Sequence, residues 1–158
     1  MKRLLAAVGV FVLVLAVSSA LSAQSDPRIG TWKLNVAKSE FAHAAIRVSE
    51  TRTYTASGDS VTMNAEVVTS DGSKQVGGYT AKADGKPYPY TGQNSAGAET
   101  ISIRRHKNKF TSQSKKGGKR LFTTTDSFSA DGKEMTLTTN GVNANGQSIN
   151  SIRVYDKQ

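Results

Sequence analysis

Chemistry in this chain would have to come from a short list of residues. There are two histidines, His43 and His106, and no cysteine at all. Neither histidine has a second His at metal-ligand spacing, and no run of Asp or Glu completes a site, so a metal centre is not expected. Serine and aspartate are abundant, but nothing resembles a nucleophile elbow, and no glycine-rich phosphate loop opens a helix. The absence of cysteine excludes disulfides, thiol catalysis and lipid attachment through an N-terminal thiol. The residue pattern therefore points away from an enzyme, with no cofactor expected.

Three other groups carry chemical meaning. Arg104, Arg105, Lys107, Lys109, Lys115, Lys116, Lys119 and Arg120 crowd into residues 104–120, and no acid stands between Glu99 and Asp126. In a hairpin-rich fold they form a basic patch. It either attracts an anionic surface or serves as a solvated face that blocks edge pairing. Aromatic residues for base stacking are sparse there, so nucleic acid is not an expected partner. Glu50 and Arg52 share a face with Ile46, Val48 and Tyr54, and Asp126 sits between Phe122 and Phe128. A charge on an inward face must be paired or wet. Glu50 and Arg52 either anchor a ligand, satisfy each other, or are turned by a bulge. Tyr88 and Tyr90, beside Pro87 and Pro89, and Tyr79 across a turn offer apolar rings with polar tips. They suit a pocket mouth or a barrel cap.

The elements that must position these residues are strands. Gly30, Trp32, Leu34 and Val36 alternate with Thr31, Lys33 and Asn35, and Val61, Met63, Ala65 and Val67 repeat the pattern. Turn signals recur, with Gly58, Gly72 and Gly85 at intervals of 14 and 13 residues, and Gly118, Gly132 and Gly146 at intervals of 14. The spacing predicts about nine strands, at 29–36, 46–56, 60–69, 75–83, 86–91, 99–106, 109–115, 119–129 and 133–140, with 147–156 the candidate for a tenth. Ser39 is placed to cap a short helical turn within 38–45 that plugs or covers one end. Two prolines in 86–90 put that stretch at an edge, a rim or a corner. Many consecutive strands without crossover helices read as an all-β, single antiparallel up-and-down barrel of eight to ten strands. Such a barrel is either filled by side chains or holds one small ligand. The small inward residues Ala65, Gly78 and Ala81 favour room inside. The expected lining is Val61, Met63, Val67, Tyr79, Ile101, Ile103, Phe122, Phe128, Met135 and Leu137.

The first residues are written differently. Lys2 and Arg3 precede an apolar run, 4–17, and then Ser18, Ser19, Ala20, Ser22 and Ala23. This is a secretory leader, 1–23, ahead of a barrel domain, 24–158. The formal charge is +9, and Lys2 and Arg3 supply two of the nine, so the domain carries +7. A membrane-spanning barrel is disfavoured by mean hydropathy of −0.41 and by the polar outer positions of most strands.

Gly30-Thr31-Trp32-Lys33-Leu34-Asn35 with Lys38-Ser39-Glu40-Phe41, then 84–92, 129–138 and 152–158, resembles secreted bacterial lipocalin-like proteins, small calycin-type barrels of mostly uncharacterised function. The resemblance implies that Gly30 and Trp32 sit at the closed end, with Arg153 across the Trp32 ring as its cation–π partner. Together these readings give an exported, periplasmic or secreted, non-catalytic barrel that binds a small apolar or amphipathic molecule. The expected ligand residues are Met63, Tyr79, Tyr88, Tyr90, Phe122, Asp126 and Phe128. The alternative is an envelope module docking to anionic surfaces through the basic 104–120 face.

Overall fold

The computed structural model describes residues 26–158; the leader, 1–23, lies outside the described residues. The chain forms ten strands: β1 Gly30–Phe41, β2 Arg47–Ser57, β3 Ser60–Thr69, β4 Lys74–Ala81, β5 Asp84–Gly92, β6 Thr100–His106, β7 Lys109–Lys116, β8 Lys119–Phe128, β9 Glu134–Gly141 and β10 Ser151–Lys157. Each pairs antiparallel with its sequence neighbours, and β1 pairs with both β2 and β10, closing the barrel. Closure leaves no free outer edge, which suits a sheet with only one apolar face. The turns follow the glycine rhythm. Gly58, Gly72 and Gly132 adopt positive φ in open space, where a side chain would be strained but not blocked.

Hairpin connectivity gives the barrel two different ends. The start of β1, the end of β10 and the β2–β3, β4–β5, β6–β7 and β8–β9 connections share one end. Trp32 lies there, fully buried, against Phe128 with ring centroids 6.0 Å apart, and Phe128 meets Phe110 at 6.3 Å. At the other end lie the 3-10 turn His43–Ala45, the β3–β4 and β7–β8 hairpins and the loops 93–99 and 142–150.

Two irregularities redirect side chains. In β1, pairing to β10 slips between Asn35 and Glu40. Ser39 Oγ donates to Asn35 O at 2.7 Å and accepts from Val154 N at 3.0 Å, so its hydroxyl bridges this bulge. The expectation that Ser39 caps a helix is corrected. The strand runs on to Phe41, and only His43–Ala45 turns, with Ala42 before it making no side-chain cap. The bulge also leaves Val36 exposed rather than inward. In β2, pairing to β3 slips between Arg47 and Ser49. Val48 is thereby turned outward, 53 % exposed, and Arg47 turns in.

The prolines sit inside the closed sheet, in β5. Tyr90 N–H donates to Glu99 O on the β6 side. By alternation, the positions of Pro87 and Pro89 face β4, where a ladder would need an N–H they lack. The β4–β5 ladder is confined to Gly77–Tyr79 against Tyr90–Gly92. An internal seam replaces the outer edge that two prolines would otherwise need. Closely approaching backbones define that seam, since a Cβ on Gly77 would stand 2.1 Å from Gln93 O. Gly78 lines the cavity through its backbone, but a side chain there would point outward. It pairs with outward Asn64, and a Cβ there would meet Met63 O at 1.9 Å.

Candidate functional site

The barrel encloses a cavity of about 120 Å³, several times the roughly 10–15 Å³ that one water requires. Its wall has two characters. Met63, Ala65 and Val67 of β3, Tyr79 of β4, and Ile101 and Ile103 of β6 form an apolar side. Glu50 and Arg52 of β2, Ser112 of β7, Thr124 and Asp126 of β8, Thr139 of β9, and Ser151 and Arg153 of β10 form a polar side. The 3-10 turn, through Ala44 and Ala45, and residues 93–96 close over the mouth. Period-2 alternation produces this arrangement, because every second residue of each strand faces the lumen.

Glu50 is the centre of the polar side and only 1 % exposed. Arg47 Nη1 donates to its carboxylate, Arg52 Nε donates at 2.5 Å, and Arg153 Nη1 stands 3.8 Å away. Burial would push the Glu50 carboxyl up. The guanidiniums of Arg47, Arg52 and Arg153 outweigh it and hold the carboxyl well below the usual carboxylate range. Of the readings open from sequence, the pairing of Glu50 with Arg52 and the bulge in β2 are both present.

Arg153 occupies a different place from the one expected of it. It is not across Trp32; Lys157 Nζ takes that position, 5.1 Å from the ring centroid. The reason is register. Trp32 pairs with Lys157, at the closed end, whereas Arg153 pairs with Leu137, midway along the barrel. Arg153 Nη2 donates to Thr139 Oγ1 at 2.9 Å, and Thr139 shares a hydroxyl hydrogen bond with Thr124, also 2.9 Å. Arg153 Nε is buried without a partner. Burial pulls the Arg153 guanidinium below its ordinary value, and the neighbouring guanidiniums of Arg47 and Arg52 act in the same direction.

Asp126 is 8 % exposed and lines the cavity. No described residue donates a hydrogen bond to its carboxylate. Burial pushes its carboxyl up, against the pull of Arg52, Arg28 and Arg153.

The sequence-predicted ligand residues divide. Met63, Tyr79, Tyr90, Phe122 and Asp126 line the cavity together. Tyr79 and Tyr90 meet edge to face at 5.9 Å, and Tyr90 Oη shares a 2.8 Å hydrogen bond with Ser114 Oγ. Phe128 is not at the cavity, because it packs on Trp32 and Phe110 at the closed end. Tyr88 is not either, because its hydroxyl turns to Asp84 Oδ2 at 3.0 Å. Of the expected apolar lining, Val61 and Met135 also lie in the closed-end core.

The basic residues do not form one patch. Arg104, Arg105, Lys107 and Lys109 surround the β6–β7 turn at the closed end. Lys115, Lys116, Lys119 and Arg120 surround the β7–β8 turn at the open end. The length of β7 separates the two groups, roughly 23 Å for its strand rise.

Arg28 was not singled out from sequence. It is 2 % exposed, stacks 3.9 Å from the Phe110 ring centroid and pairs with Asp26 at 2.7 Å. Its carbonyl accepts Trp32 Nε1–H at 2.7 Å. It seals the closed end as a plug placed before the first strand. A cation preceding Gly30 by two residues was the available signal, but nothing in strand alternation reaches that far upstream. Among the described residues no cluster of three His, Asp or Glu could hold a metal ion, and no helix is long and apolar enough to cross a membrane.

No protein-family model and no curated protein matches this chain. Among solved structures, it is similar to a zebrafish ileal bile acid-binding protein complexed with cholic acid. The TM-score is 0.56 at 13 % identity, covering 84 % of this chain and 99 % of that one. At that identity the likeness is one of fold: a closed antiparallel barrel of the calycin kind.

Proposed function

We propose that this protein binds one small amphipathic molecule carrying an acidic group, inside the barrel and without covalent chemistry. The observation that carries the reading is Arg153 Nε, a buried cationic donor without a partner on a cavity wall that faces an apolar one. A desolvated guanidinium gains most from an anionic acceptor, and the apolar side of the wall suits a hydrocarbon body. The bound cholic acid of the zebrafish protein, an amphipathic acid in a barrel of the same fold, supports the reading. The residues 1–23 support export to the periplasm or beyond, which N-terminal sequencing of the protein from its host tests. Docking to an anionic surface through all eight cations of 104–120 loses support, since those cations stand at both ends of the barrel.

Titration with a fluorescent fatty-acid analogue tests the container. One-to-one binding that changes little between low and high salt supports it, because enclosed charges are poorly screened. No saturable binding, or binding only to anionic vesicles with affinity falling steeply as salt rises, overturns it.

A further inference from the structure

We infer that Asp126 is a specificity-determining residue, and that the cavity selects an acid bearing a hydroxyl group: the acid meets Arg153 and the hydroxyl donates to Asp126. The inference rests on the amphipathic-ligand reading and goes beyond it, since an acid with a plain hydrocarbon tail would satisfy that reading equally.

Three observations carry it. First, Asp126 is more than nine-tenths buried and lines the cavity, yet no described residue donates to its carboxylate. Glu50, the other buried acid among the described residues, has donors of its own in Arg47 and Arg52. Second, Asp126 sits between apolar cross-strand neighbours, Phe110 on β7 and Leu137 on β9. Among the described residues no hydroxyl or amide hydrogen-bonds the carboxylate, and Arg52, Arg28 and Arg153 act on it through charge alone. Third, Asp126, Leu137 and Arg153 occupy one register row across β8, β9 and β10. Two inter-strand spacings separate Asp126 from Arg153 at the backbone, roughly 10 Å. The Asp126 carboxylate and the Arg153 guanidinium, whose Nη2 bonds Thr139 while its Nε has no partner, thus line one cavity from one row.

A buried acceptor left unmade is costly, and a ligand donor that completes it is favoured over an analogue that lacks it. An apolar site behaves the opposite way, because burying a ligand hydroxyl without a partner is unfavourable. The sign of the hydroxyl effect therefore decides between the two.

The test is calorimetric titration of the protein with decanoate and with 10-hydroxydecanoate. The expected result is that the hydroxy acid binds about tenfold more tightly than its parent. Asp126→Leu, of the same branched shape but larger and without an acceptor, should reverse the order. Asp126→Asn keeps an acceptor oxygen and should retain part of the preference; it also guards against a leucine variant that fails to fold. Tighter binding of decanoate to the unaltered protein overturns the inference while leaving the container standing. So does an equal preference in the Asp126→Leu variant. Binding of neither probe overturns both.

Discussion

Glu50→Gln isolates what holds the interior charges in place. The carboxylate is 1 % exposed and serves Arg47, Arg52 and Arg153 at once. The substitution is nearly isosteric, so no cavity opens; only the negative charge goes. Three guanidiniums then share the polar wall with Asp126 alone, which none of them hydrogen-bonds. Removing one partner of a buried ion pair costs about 3–5 kcal/mol. Arg47 and Arg52 retain side-chain exposure of 15 % and 14 %, and water there softens the loss, so the lower figure, about 3 kcal/mol, applies. For a domain of this size that lowers the melting temperature by roughly 10 °C. Trp32 is the single tryptophan and fully buried, so urea unfolding followed by its fluorescence reads the change directly. The midpoint should fall with the slope unchanged. The pH dependence has a definite sign. The folded-state carboxyl is held below its ordinary value of 4.5, so its stabilisation is fully present above that value. It is lost as pH falls through the folded-state value. The gap between parent and variant should be constant above about pH 5 and close in more acidic solution. A loss below about 1 kcal/mol at neutral pH, or a gap that widens on acidification, would show that the Glu50 charge does not hold the three guanidiniums in place.

Other perturbations address separate parts of the fold. Arg28→Ala removes the stack on Phe110 and the Asp26 pair. It should cost about 3 kcal/mol by thermal unfolding, and Arg28→Lys should restore little, because an ammonium lacks the planar stacking face. Ser39→Ala removes both hydrogen bonds of the β1 bulge. It should cost about 1–2 kcal/mol in urea unfolding and raise hydrogen exchange at Val154. Asp126→Asn should stabilise the ligand-free protein at neutral pH. Burial raises the Asp126 carboxyl in the folded state, so its charge opposes folding above that raised value and not below the unfolded one. Thermal scans should show the gain shrinking toward acid, the reverse of Glu50→Gln.

Much of the barrel is legible in the sequence because two-residue alternation and glycine-marked turns are local signals. They place Met63, Tyr79, Phe122 and Asp126 on the lumen side with no knowledge of their partners. What alternation cannot carry is register across a bulge. Ser39 looks like a helix cap because a hydroxyl that bridges Asn35 O and Val154 N depends on a strand far along the chain. Val48 turns outward and Arg47 inward through one extra residue. Arg153 belongs to the lumen by the same alternation that buries Ser151 and Tyr155. The family resemblance assigned it to Trp32, yet cross-strand pairing gives that place to Lys157. The basic run reads as a patch in one dimension, but β7 carries its halves to opposite ends.

In the proposed function an amphipathic acid enters the barrel and meets Arg153. The most direct measurement is the arginine Nε–H NMR spectrum during titration with decanoate, the Arg153 resonance being assigned by its loss in Arg153→Lys. This resonance should shift and saturate at one equivalent, while the backbone amides of Lys115–Arg120 stay in place. An unmoved Arg153 signal, with shifts confined to the basic turns, would contradict the proposed function.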